Sequence, residues 1–72
     1  MKIEVRIIDE NLTLVGYFNR NYVDYVEVSR HSDGRVFWRV DNGSGYTISS
    51  LNRTKTEAIK EARKYIRSKR AE

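Results

Sequence analysis

The sequence predicts an α+β fold: an N-terminal β-hairpin plus a three-stranded antiparallel sheet, packed on one C-terminal α-helix. Three observations carry that expectation. Apolar and polar residues alternate through most of the first two thirds of the chain, which is the period of half-buried strands. Asn, Asp, Ser and Gly interrupt the alternation at short intervals, as turns require. After Arg53 the apolar residues recur at helical spacing instead. With 72 residues and neither Pro nor repeats, residues 1–72 read as a single domain with one core.

The first strand is expected over 2–8, where Ile3, Val5 and Ile7 alternate with Lys2, Glu4 and Arg6. Asp9-Glu10-Asn11 turns the chain into a return strand over 12–18. Pairing Ile8 with Leu12 sets Ile7, Val5 and Ile3 opposite Thr13, Val15 and Tyr17, making one face apolar. The other face carries Ile8, Leu12, Leu14 and Phe18, so this hairpin is expected to be covered twice. A second sheet curling over it, as a small barrel or sandwich, would do so; a partner chain is the alternative.

Asn19-Arg20-Asn21 links to a strand over 22–30, followed by strands over 35–41 and 46–51. A three-residue loop, Ser32-Asp33-Gly34, with Gly34 left-handed, sets Arg30 opposite Val36, Val28 opposite Trp38 and Val26 opposite Val40. A four-residue loop would put Val26 and Val28 on the face of Arg35, Phe37 and Arg39, so apolar burial selects the first register. The next turn, Asp41-Asn42-Gly43-Ser44-Gly45, pairs Val40 with Tyr46 and Trp38 with Ile48. The expected core face is Val26, Val28, Val36, Trp38, Val40, Tyr46 and Ile48.

The helix is expected over 55–69. Thr54-Lys55-Thr56-Glu57 has the form of a capping box. Ala58, Ile59, Ala62, Tyr65 and Ile66 form its apolar stripe, with Lys60, Arg63, Lys64 and Arg67 on the other side. Basic residues late in a helix also complement its dipole, so part of this charge has a structural purpose.

Little here suggests catalysis. There is no Cys, and hence no disulfide or thiolate metal site. His31 is the sole histidine and reads as a solvated turn residue. Asp9, Glu10, Asp33 and Asp41 suit turns, and Gly43-Ser44-Gly45 lies in a hairpin rather than before a helix, unlike a phosphate loop. The chain is therefore read as non-enzymatic, with no cofactor and no metal. No signal-like segment and no apolar run of about 20 residues is visible, so a cytoplasmic setting without membrane contact is expected. The Asn-x-Ser/Thr matches at Asn11, Asn42 and Asn52 then read as turn and cap residues.

The formal net charge is +4, concentrated in the C-terminal segment at Lys60, Arg63, Lys64, Arg67, Lys69 and Arg70. Such asymmetry points to a polyanion. On the sheet face away from the core, the expected register groups Tyr25, Ser29, Arg35, Phe37, Arg39, Thr47 and Ser49 around Glu27. Arginines can contact phosphates or guanine edges, hydroxyls phosphates, and an aromatic can stack or wedge. Arg53, Lys55, Lys60, Arg63, Lys64 and Arg67 would add phosphate anchors.

The segments Arg35-Val36-Phe37-Trp38-Arg39-Val40 and Arg53-Thr54-Lys55-Thr56-Glu57-Ala58 resemble the arm-type N-terminal DNA-binding domains of phage integrases, the tyrosine recombinases. The resemblance spans about Tyr25 to Ile66 and implies a three-stranded sheet entering the major groove, backed by a helix. The order hairpin, sheet, helix is also similar to that of small chromatin proteins of thermophilic archaea, which bind DNA through the sheet but are richer in lysine. The expected function is thus a small nucleic-acid-binding module, with DNA favoured over RNA, acting as monomer or homodimer. The alternative is a phage-type protein that inhibits a host protein, acidic or otherwise, through its apolar hairpin or a sheet edge.

Overall fold

The computed structural model describes residues 2–42, 44, 46–48 and 52–71, the side chains of Arg70 and Ala71 excepted. In chain order these form β1 (Glu4–Asp9), β2 (Leu12–Asn19), β3 (Tyr22–Ser32), β4 (Val36–Asn42) and α1 (Lys55–Ala71). The α+β class holds, but the hairpin is not separate from the sheet. All four strands form one antiparallel sheet in the order β1-β2-β3-β4. Asn19 explains the difference: its Oδ1 accepts from the N–H groups of Asn21 (3.0 Å) and Tyr22 (2.8 Å). That closes a tight turn where a looser link was expected, and β3 pairs back along the whole of β2.

The β1–β2 register is the expected one, with Val5 opposite Val15 and Ile7 opposite Thr13, up to a bulge between Ile7 and Asp9. The β3–β4 register is displaced by two residues: Val28 faces Val40, Arg30 faces Trp38 and Ser32 faces Val36. The loop is Asp33-Gly34-Arg35, one residue later than expected, with Gly34 at φ 102°. Asp33 N–H closes it on the Arg35 carbonyl at 3.2 Å. Because the displacement is even, no side chain changes face, and Val26, Val28, Trp38 and Val40 are all buried.

Beyond β4 the chain runs back along its edge. Ile48 N–H donates to Val40 (2.7 Å), Asn42 N–H to Tyr46 (2.8 Å), and Trp38 and Asn52 exchange two bonds (2.8 and 3.0 Å). Val40 thus faces Ile48, not Tyr46, and Trp38 faces Asn52, not Ile48. In place of the expected strand over 46–51, the described residues 46–48 make one isolated bridge, Thr47 to Asp41. Residues 49–51 lie outside the described residues.

Helix α1 packs on β2, β3 and β4, and Thr54 Oγ1 accepts from Glu57 N–H at 3.2 Å to cap it. Ala58, Ala62 and Ile66 meet Val15, Tyr17, Val26, Val28, Trp38 and Val40 in the core. Val36 and Tyr46, expected inside, are 45% and 73% exposed. Both lie past the core rows of the sheet, where the helix gives no cover. The sheet does not curl into a barrel or sandwich: among the described residues nothing covers its second face, and Ile8 there is 55% exposed.

Candidate nucleic-acid interface

Strand alternation assigns the uncovered face its residues: Glu4, Arg6 and Ile8 from β1, then Leu12, Leu14, Gly16 and Phe18 from β2. Val23, Tyr25, Glu27, Ser29 and His31 follow from β3, and Phe37, Arg39 and Asp41 from β4. Two aromatic groupings result. Phe18 and Tyr25 stack with centroids 5.5 Å apart, and the Arg6 guanidinium lies 4.3 Å over the Phe18 ring. His31 and Phe37, directly opposite across β3 and β4, stack at 5.5 Å and 14°. His31 is therefore a half-buried strand residue and not the solvated turn residue expected. The two-residue register error hid its partner.

Charges on this face divide it. Glu27 and Asp41 are cross-strand neighbours on β3 and β4, a pairing that repels phosphate. Arg39 is half-buried and turned toward Asp41, with Nη2 to Oδ2 at 3.7 Å. Among the described residues, Arg39 Nε, Asp41 Oδ1 and His31 Nε2 are buried without hydrogen-bond partners.

At the β3–β4 turn the balance reverses. Arg35 is in the loop and not on the strand, its side chain 75% exposed and only 3.9 Å from Asp33. It borders a cleft of about 480 Å³ with Val36, Phe37, Asn52 and Arg53. Two arginines and a phenylalanine thus line one opening near the start of α1.

The remaining expected site residues are scattered. Tyr25 is engaged with Phe18, Ser29 lies opposite Arg39, and Thr47 is exposed beside Asp41. Ser49 lies outside the described residues. Lys55 is half-buried, its Nζ 5.7 Å over the Trp38 ring, which makes it a packing residue. Lys60, Arg63, Lys64 and Arg67 are exposed, but α1 covers the sheet's other face. The helix stripe and the open sheet face therefore point away from each other.

Lys69 folds back to Asp24 on β3 at 3.1 Å, and that hydrogen bond holds its ammonium above the usual lysine range. Among the described residues no three or more His, Asp or Glu converge on a metal-sized site, and no helix is long and apolar enough to cross a membrane. No protein-family model matches the chain, and no curated protein or solved structure is significantly similar to it.

Proposed function

We propose that the chain is a non-enzymatic nucleic-acid-binding module that engages duplex DNA with the β3–β4 hairpin. The cleft between Arg35, Phe37 and Arg53 carries this reading. A two-stranded ribbon tipped by arginine has the dimensions to enter a major groove, where a guanidinium can address guanine edges or phosphates. Phe37 and Tyr25 already stack on His31 and Phe18, which favours arginine contacts over base stacking as the main mode. The likeness to integrase arm domains points the same way. The helix stripe acts as a second, non-specific attraction for polyanions.

The test is a titration against duplex DNA, single-stranded DNA and RNA at two salt concentrations. Duplex affinity should fall steeply with salt, and Arg35→Ala or Arg53→Ala should each reduce the log–log slope by about one. Equal binding by wild type and both variants would remove the cleft from the interface. Preference for single strands would move the reading to stacking on Phe37 and Tyr25.

A second reading, inhibition of a host protein through the hairpin, is favoured by the exposed Ile8 and the half-buried Leu12, Leu14 and Phe18 on the face that α1 leaves open. It predicts capture of one partner that persists at high salt and is lost on Ile8→Ser with Leu14→Ser.

A further inference from the structure

Strand β1 is an edge of the sheet, and among the described residues nothing pairs with its outer side. Edge strands are commonly protected by inward-pointing charges or bulges. Here the helix-side residues are Ile3, Val5 and Ile7, and the bulge begins only after Ile7. The helix, resting on β2, β3 and β4, stops short of β1. Ile7 is 69% exposed as a result. By contrast, the opposite edge, on β4, is already bonded to residues 46–48 and 52.

We propose that the occupant of this edge is a second copy of the chain, with β1 pairing antiparallel to β1 about a two-fold axis at Val5. The order of charges selects that register. With Val5 opposite Val5, Glu4 faces the second copy's Arg6 and Arg6 faces its Glu4, while Ile3 meets its Ile7 on the helix side. One residue further along, Glu4 would face Ile7 and Arg6 would face Val5, with no residue at the axis; two residues further, Arg6 would face Arg6. Within one chain Glu4 and Arg6 already pair at 3.1 Å, and Phe18 holds Arg6 over the sheet. Dimerisation turns this pair into a ring of four alternating charges. The second copy's Ile7 is set beside Ile3, at the mouth of a groove of about 400 Å³ that Ile3 lines with Lys2, Tyr17, Arg63 and Arg67. The product is one eight-stranded sheet with both helices on the same side. This inference stands apart from the DNA reading, since neither the turn nor the cleft takes part.

Sedimentation velocity across a concentration series, without nucleic acid, tests it. Wild type should show a monomer–dimer equilibrium. Ile7→Lys, at a position exposed in the monomer, should shift that equilibrium to monomer without loss of folded circular-dichroism signal. Glu4→Arg and Arg6→Glu should each weaken the dimer on the order of tenfold or more, because two attractive pairs become repulsive. Mixing these two variants should restore a dimer, since each then supplies the charge the other lacks. A wild type that stays monomeric at millimolar concentration overturns the proposal, as does a dimer indifferent to all three substitutions or a mixture that fails to associate.

Discussion

Thr13 is fully buried on the helix side of the sheet, and its Oγ1 has no hydrogen-bond partner among the described residues. A hydroxyl without a bond in an apolar site costs about 1–3 kcal/mol, while valine has nearly the same shape and suits a strand. Thr13→Val should therefore raise unfolding stability by about 1 kcal/mol, read from urea titrations of the two proteins. Gly16 behaves oppositely. A methyl group there would strike the Asp24 carbonyl and the Tyr25 backbone across the β2–β3 ladder. Gly16→Ala should destabilise by roughly 2–3 kcal/mol, since the obstruction is backbone and has no rotamer through which to yield. A variant as stable as wild type would mean that β2 and β3 separate more readily than their pairing indicates.

At the level of elements, α1 is closed at its start by a local cap, packed on the sheet in its middle by small residues and tied to β3 near its end by a polar contact. Thr54 caps its start, Ala58 and Ala62 allow close approach to the strands, and Lys69 bonds Asp24 near its end. The Lys69 ammonium titrates above its ordinary value of 10.5 because the Asp24 carboxylate favours the charged form. A raised folded pKa means that this stabilisation is complete below pH 10.5 and is lost as pH climbs through the raised value. Lys69→Met should cost no more than about 0.5 kcal/mol at neutral pH, because the pair is half-exposed. The gap from wild type should close at strongly alkaline pH, which thermal melts at both conditions would reveal.

For the whole molecule, the two-layer arrangement decides how the basic residues can be used. On the proposed DNA reading, a duplex lying on the open sheet face would not also reach Lys60, Arg63, Lys64 and Arg67, because α1 lies on the other side of the sheet. Neutralising those four should leave hairpin-mediated affinity nearly intact and mainly reduce the non-specific, salt-sensitive component. Competition titrations with unrelated duplex separate the two. If neutralising the helix abolished binding while Arg35→Ala and Arg53→Ala did not, the helix would be the interface and the sheet face would be left for another partner.

The sequence by itself determined the fold class, the first four strands, the helix with its Thr54 cap, and that Val26, Val28, Trp38 and Val40 share one face. These follow from local periods and turn residues, and a period of two survives a register displaced by two. It did not determine how far the chain slid before turning at Gly34, nor whether Asn19 would close a hairpin. Those outcomes depend on competing pairings between residues distant in sequence. Nor could it say that the uncovered face would remain open, since closure depends on how much apolar area one helix leaves uncovered. Tertiary structure therefore moved the candidate site: Arg39 and Lys55 were drawn into packing, His31 was brought onto Phe37, and Arg35 was placed in the turn beside Arg53. It also made β1 an edge of the sheet, unpaired on its outer side among the described residues, where the order of Glu4, Val5 and Arg6 acquires a meaning that the sequence pattern alone did not convey.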